Sequence, residues 1–190
     1  MIILTDADGV LENLTHVWVE LLNETYGRDV KYDDIREWDM CKAFPGLTRE
    51  QVYGMELEDE IYNRMRPIEG AAEVLKKVID AGHQLYVVTD TPYQIFKQKM
   101  DKVIFKYYPF LTWKNIIVTS NKKIIKGDVL IDDGIHNLEG ADYEKILVSA
   151  PYNEYYDAEG NGMYRVHSWN EIENVLVKMG VMNDLLLLNN

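Results

Sequence analysis

The feature that most constrains this chain is the change of character within its first dozen residues, Met1-Ile-Ile-Leu-Thr-Asp-Ala-Asp-Gly-Val-Leu-Glu12. Ile2, Ile3 and Leu4 form an apolar run too short for a helix and suited to a strand buried on both faces. The run ends in Asp6-Ala7-Asp8-Gly9. Side chains alternate along a strand but not through a turn, so Asp6 and Asp8 can converge on one point, with Gly9 permitting the bend. Two clustered carboxylates repel unless a cation or a shared proton compensates. A hard divalent cation, Mg2+, is the natural partner, because it takes one or two carboxylates and leaves room for a phosphate. The plain alternative is a polar turn leaving a strand, since Asp and Gly are ordinary turn residues. The rest of the chain decides between the two.

Four further apolar runs have the same character: Leu85–Val88, Ile116–Val118, Val129–Ile131 and Ile146–Val148. Helical patterns separate several of them, which predicts an α/β fold with a mostly parallel sheet. Pro67 precedes a helix with Ala71, Val74, Leu75, Val78 and Ile79 inward, and Gly82 stands where a C-terminal cap belongs. A second helix, Tyr93–Tyr108, is expected to bury Phe96, Met100, Val103, Ile104 and Tyr107 before Pro109 ends it. Ser168-x-x-Glu171 reads as a capping box opening a last helix with Trp169, Ile172, Leu176 and Met179 inward. The apolar tail Leu185–Leu188 is short, and docking onto the body or a partner is its expected use. About fifty residues between the first strand and Pro67 fit no simple crossover. Helices are expected at Thr15–Tyr26, Thr48–Leu57 and Asp59–Met65, with a loop over Trp38–Pro45. So long an excursion directly after the carboxylate turn suggests a small helical cap over a site.

With 190 residues, 47% of them hydrophobic, the chain suits one domain, or one domain with a sizeable insertion. No apolar run is long enough to span a membrane. The chain begins on a strand without a basic n-region, and Cys41 is its one cysteine, so a reducing, cytoplasmic location is expected. A formal charge of −12 argues against a nucleic-acid polymer as partner, but not against a small anion held by a local field. One such field has a visible source: residues 97 to 126 hold eight lysines and one acid, Asp101. Most of these lysines are expected on the solvated face of one helix. Lys122, Lys123 and Lys126 lie beyond it.

The polar residues at the strand ends form a chemical set. Asp6 and Asp8 follow the first strand, Thr89 and Asp90-Thr91-Pro92 the second, and Asp132-Asp133-Gly134 follow Val129–Ile131, with the lysine trio just before that strand. In an open parallel sheet, ligands bind beyond the carboxyl ends of the strands, where the strand order reverses. Phosphoryl transfer needs these parts: a carboxylate to attack phosphorus, a second to move the proton, and Mg2+, a hydroxyl and an ammonium around the phosphate oxygens.

These residues, Asp6-Ala7-Asp8-Gly9-Val10, Thr89, Lys122 and Asp132-Asp133, resemble the four motifs of the haloacid dehalogenase-like (HAD) phosphatases over nearly the whole chain. Finer matches are similar to the 5′(3′)-deoxyribonucleotidase branch: Pro67-Ile68-Glu69-Gly70-Ala71, Val129-Leu130-Ile131-Asp132-Asp133, Pro151-Tyr152-Asn153 and His167-Ser168-Trp169. The resemblance implies a Rossmann-like core (1–14 and 67–190) with a central, mostly parallel five-stranded sheet, and a small helical cap (15–66) inserted after strand one. It implies Asp6 as nucleophile and Asp8 as general acid/base, with Thr89 and Lys122 on the phosphate and Lys126 as second choice for the lysine. It implies Mg2+ on Asp6, Asp132 and the Asp8 carbonyl, with Asp133 supporting the metal shell.

The implied activity is Mg2+-dependent hydrolysis of (deoxy)ribonucleoside monophosphates through an aspartyl-phosphate. The same machinery acting on a sugar phosphate, and a non-catalytic binding module on the same fold, are the alternatives. Haloacid dehalogenation needs neither Asp8 nor Asp132, and a receiver domain carries its acceptor on a later strand. The implied partner is a small phosphorylated molecule, with a homodimer left open. Two departures stand out. Asp90 puts an acid beside the phosphate site and is expected to turn outward. The cap matches the branch poorly; Trp38, then Trp18 and Tyr53, are candidates for stacking on a base, against simple packing roles.

Overall fold

The computed structural model describes residues 1–182, so the Leu185–Leu188 tail lies outside the described residues. Six strands, β1 (Ile2–Thr5), β2 (Gln84–Thr89), β3 (Ile116–Val118), β4 (Val129–Asp132), β5 (Glu144–Val148) and β6 (Tyr164–Val166), form one sheet in the order β3-β2-β1-β4-β5-β6. Every pairing is parallel. The sheet therefore has six strands, not the expected five. β6 is three residues long with an exposed Tyr164, and so presents no apolar run. Consecutive residues feed opposite faces. Ile3, Val87, Val129 and Ile131 join the larger apolar cluster, while Leu4, Val88 and Leu130 join the smaller. Burial on both sides explains why these strands read as continuous hydrophobic runs.

The helices are α1 (Leu14–Tyr26), α2 (Arg49–Gly54), α3 (Asp59–Arg64), α4 (Ala71–Asp80), α5 (Phe96–Lys99), α6 (Phe105–Tyr107), α7 (Ile135–Leu138) and α8 (Trp169–Lys178). Gly27 closes α1 in the left-handed region at φ 61°. Thr48 opens α2 with a reciprocal capping box to Gln51. Only half of the expected box opens α8: Ser168 accepts from the Glu171 N–H, but the Glu171 carboxylate takes the His167 N–H instead. Trp38–Pro45, expected as loop, contains a 3-10 turn at Met40–Lys42. The expected single helix over Tyr93–Tyr108 is broken into a 3-10 turn, α5, a π-helical stretch Met100–Ile104 and α6. Residues of α1, α2 and α3 bury Val17, Leu22, Val52 and Ile61 in the same cluster that lines one face of the sheet. Among the described residues, no helix is long and apolar enough to cross a membrane.

Candidate active site

Parallel pairing of β1 with both β2 and β4 brings three strand ends side by side. Thr5 is in register with Ile131, and the Asp6 N–H continues the ladder to the Ile131 carbonyl at 2.8 Å. Asp6 and Asp132 thus leave neighbouring strands at the same edge. Beyond Asp6 the chain turns: the N–H groups of Val10, Leu11 and Glu12 all close on the Ala7 carbonyl, and Gly9 takes φ 71°. Gly9 is required here twice over. An added Cβ would meet a strained backbone and would collide with Asp133 Oδ2.

Lys122 sits between the two acids, 2.8 Å from Asp6 Oδ1 and 2.7 Å from Asp132 Oδ2. The Tyr143 hydroxyl, just before β5, fixes this lysine turn by donating to the carbonyls of Lys122 and Ile125. Asp132 also accepts from the Gly134 N–H at 2.7 Å and from the Asn137 amide. Tyr152 donates to Asp133 Oδ2, while Asp133 Oδ1 is buried without a partner among the described residues. Carboxylate oxygens of Asp6, Asp132 and Asp133 lie within 4.8 Å of one another. Burial pushes Asp6 up to about 7, with Asp132 and Asp8 adding to the rise and Lys122 opposing it. Burial, Asp6 and Asp132 likewise hold Asp133 well above its ordinary range. Three buried carboxyls share one ammonium, so their full ionisation would leave two negative charges uncompensated. That deficit, the orphaned Asp133 oxygen and the all-oxygen donor set fit a hard divalent cation. Among the described residues the Asp8 carbonyl accepts no backbone hydrogen bond, which leaves it free for the same use.

A cavity of about 370 Å³ opens over this cluster. Buried Asp6, Lys122 and Asp133 line it together with Asp8, Asp90, Ser120 and His136; Trp18, Trp38, Tyr53 and Glu56 come from the segment between β1 and β2. Asp8 is drawn to one side by Lys99, whose Nζ lies 2.5 and 2.6 Å from its two oxygens. Burial alone would raise Asp8, but the Lys99 charge and hydrogen bonds from Glu12 and Lys99 outweigh it and hold Asp8 below its ordinary range.

The whole described chain, residues 1–182, matches the family model "5′ nucleotidase, deoxy (Pyrimidine), cytosolic type C protein". A 5′(3′)-deoxyribonucleotidase of Bacillus subtilis (strain 168) is 35% identical over 178 residues, 93% of this chain and 98% of that protein. The chain belongs to the 5′(3′)-deoxyribonucleotidase family. A further protein of that name, from Clostridium acetobutylicum, is 29% identical over 166 residues, covering 87% of this chain and 89% of its own. In fold the chain is similar to a HAD family hydrolase from Deinococcus radiodurans R1, solved with bound phosphate and sodium. The two share 16% identity at a TM-score of 0.64, over 95% of this chain and 96% of that one.

Within this family member, the structure gathers Asp6, Asp8, Lys122 and Asp133 around one cavity, with Asp132 paired to Lys122. Lys126 is exposed and makes no ion pair among the described residues, so Lys122 is the lysine at the cluster. Thr89 stands at the end of β2 but is fully buried, its Oγ1 2.8 Å from Thr91 Oγ1, and it is not part of the cavity wall. Asp90 does not turn away as expected. Thr91 is drawn in toward Thr89, which leaves Asp90 at the cavity wall. Trp38 is 53% exposed and meets His136 and Tyr152 edge-on, at 4.9 and 5.2 Å between ring centres. Trp18 is buried, donates to the Val52 carbonyl at 2.9 Å and packs against Tyr53, which favours its packing role.

Lys99 is the largest departure from expectation. Most lysines of residues 97–126 are expected on a solvated face, yet the Lys99 side chain is 3% exposed. The spacing held the signal: Lys99 is three residues after Phe96 and four before Val103, on the apolar face of the pattern. Glu12, Glu56, His136 and Asn137 also reach the site or its support without any motif that marks them.

Proposed function

We propose that this protein is a Mg2+-dependent phosphomonoesterase that hydrolyses nucleoside monophosphates, deoxyribonucleotides first among them, to nucleoside and phosphate. The observation that carries the reading is the buried Asp6–Lys122–Asp132–Asp133 cluster beside a cavity lined by Asp6, Lys122 and Asp133 together with Asp8 and Trp38. Family membership and relatives named 5′(3′)-deoxyribonucleotidase support the substrate class.

An Asp6 carboxylate oxygen attacks phosphorus as the bond to the leaving oxygen breaks, and Asp8 gives that oxygen its proton. Asp8 is ionised in the empty site; an arriving phosphate dianion raises its proton affinity, as any close anion does. Water then attacks the aspartyl-phosphate, Asp8 takes the proton, and the Asp6–phosphorus bond breaks to release phosphate. Lys122 holds a phosphate oxygen and masks part of the carboxylate repulsion. Thr89 is assigned the hydroxyl contact, which requires it to leave Thr91. Ser120 lies beside it, following Thr119, whose N–H bonds the Thr89 carbonyl at 3.1 Å. Asp6, Asp132 and the Asp8 carbonyl would hold Mg2+, with Asp133 in support; when bound, it would neutralise charge between nucleophile and phosphate.

The segment 15–66 acts in this reading as a cap on a core formed by 1–14 and 67–190. It contributes Trp38 to the base and Glu56 to the wall. Its helices share the apolar cluster of the core. The reduced single cysteine, Cys41, fits a cytoplasmic setting. Turnover of a panel of deoxynucleotides, ribonucleotides, sugar phosphates and aryl phosphates, with and without EDTA, tests the reading. A kcat/KM highest for nucleotides and abolished by EDTA is expected. Equal rates across the panel would remove the nucleotide claim, and EDTA-resistant turnover the metal claim.

A further inference from the structure

Asp8 is half of a larger buried arrangement that the reaction scheme leaves unused. Lys99 contacts both Asp8 oxygens, and its Nζ lies 3.8 Å from Glu12 Oε1. Glu12 is fully buried. Its Oε2 accepts the Leu14 N–H at 2.6 Å at the start of α1, while Oε1 faces Lys99, and burial beside the Asp8 charge holds the carboxyl well above its ordinary range. The backbone around Glu12 is fixed from three sides: Tyr108 donates to the Leu11 carbonyl, Trp169 to the Val10 carbonyl, and the Ile68 N–H to the Leu11 carbonyl. Lys99 itself is the last residue of α5, immediately before the π-helical stretch Met100–Ile104. Such wide turns in helices mark functional sites more often than plain ones.

Stability does not account for this arrangement. Removing Lys99 and Glu12 from water is costly, and a buried ion pair is commonly replaced by apolar residues without loss. Asp8 does not need a buried partner either, because its side chain is 28% exposed at the cavity wall and can be hydrated. What the arrangement does supply is direction. A carboxylate gripped at both oxygens by one cation has one rotamer, and general acid–base transfer depends on such placement.

We propose that Lys99 and Glu12 are positioning residues: Lys99 fixes the Asp8 carboxylate toward the leaving oxygen of the substrate, and Glu12 holds Lys99 in place. The inference rests on the reading of Asp8 as the general acid/base. The test is single-turnover kinetics, enzyme in excess, on two substrates that differ in their need for an acid. A deoxynucleoside 5′-monophosphate expels a poor alkoxide; p-nitrophenyl phosphate expels a stable phenolate. The double variant Lys99→Met/Glu12→Gln removes the buried ammonium together with the carboxyl that faces it and leaves Asp8, 28% exposed, to hydrate, so it is the variant to use if Lys99→Met alone fails to fold. Nucleoside release is expected to slow about a hundredfold, p-nitrophenolate release by less than about threefold. Asp8→Asn is expected to show the same split. An equal loss on both substrates, or none, in the double variant would make the triad merely structural. If Asp8→Asn shows the split and the double variant does not, the inference fails while the reading of Asp8 stands. If neither shows it, both fail.

Discussion

Lys122→Met removes the one cation among three buried carboxylates while keeping most of the side-chain volume. The lysine is 4% exposed and within 2.8 Å of two acids. Breaking a buried pair from one side costs about 3–5 kcal/mol, because the remaining charges stay desolvated. For a domain of this size that is a fall in Tm of about 10 °C in metal-free buffer. Mg2+ opposes the loss: with the ammonium gone, the Asp6–Asp132–Asp133 site is more negative and binds the cation more tightly. At a concentration a hundred times Kd, a ligand adds about 2.7 kcal/mol. Thermal unfolding with EDTA and with Mg2+ reads both effects. The variant is expected to unfold well below wild type in EDTA and to gain more from Mg2+ than wild type does. Its kcat should still fall by about a hundredfold or more, since the phosphate loses its ammonium contact. A variant as stable as wild type in EDTA, with an unchanged response to Mg2+, would refute the charge balance drawn here.

Three further outcomes follow from the geometry. Trp38→Ala is expected to raise KM for a nucleotide about tenfold with kcat little changed, as loss of one stacking face does; equal KM values would return Trp38 to a packing role. Gly9→Ala forces a side chain into the left-handed region and against Asp133, and should weaken Mg2+ affinity at least about tenfold, read by titration calorimetry. Glu56 is pushed up to about 7 by burial, with Asp8 and Asp90 adding and Lys99 opposing. A carboxyl raised on folding binds its proton more tightly in the folded state, so stability falls as pH rises from about 4.5 to 7. Glu56→Gln should flatten that part of the Tm profile and be the more stable protein at pH 8, by on the order of 2 kcal/mol. A variant with the wild-type slope would show that Glu56 is solvated.

The parts legible in the sequence were those set by local chemistry. β1 and β4 announce themselves because strands buried on both faces carry unbroken apolar runs, and the acids at their ends stand next to the turns that release them. The family resemblance puts Lys122 first and Lys126 second, and burial between Asp6 and Asp132 separates Lys122 from exposed Lys126. β6 was not legible, because three residues at a sheet edge need no hydrophobic pattern. Lys99 was misread because a lysine-rich helix is ordinarily a solvated one, and its partners Asp8 and Glu12 come from 91 and 87 residues away in the chain. Asp90 failed for a related reason: its direction depends on the bond between Thr89 and Thr91, a contact with no sequence signature. Tertiary partners of this kind decide the site's second layer, and they are written only in the fold.

The central claim is that Asp6 carries the phosphoryl group. Acid quenching within the first turnover, followed by mass spectrometry of the peptide spanning residues 1–12, tests it directly. One phosphoryl mass on Asp6, lost in hydroxylamine and absent from Asp6→Asn, is the predicted result. A peptide without added mass during steady turnover, or an Asp6→Asn protein as active as wild type, would contradict it.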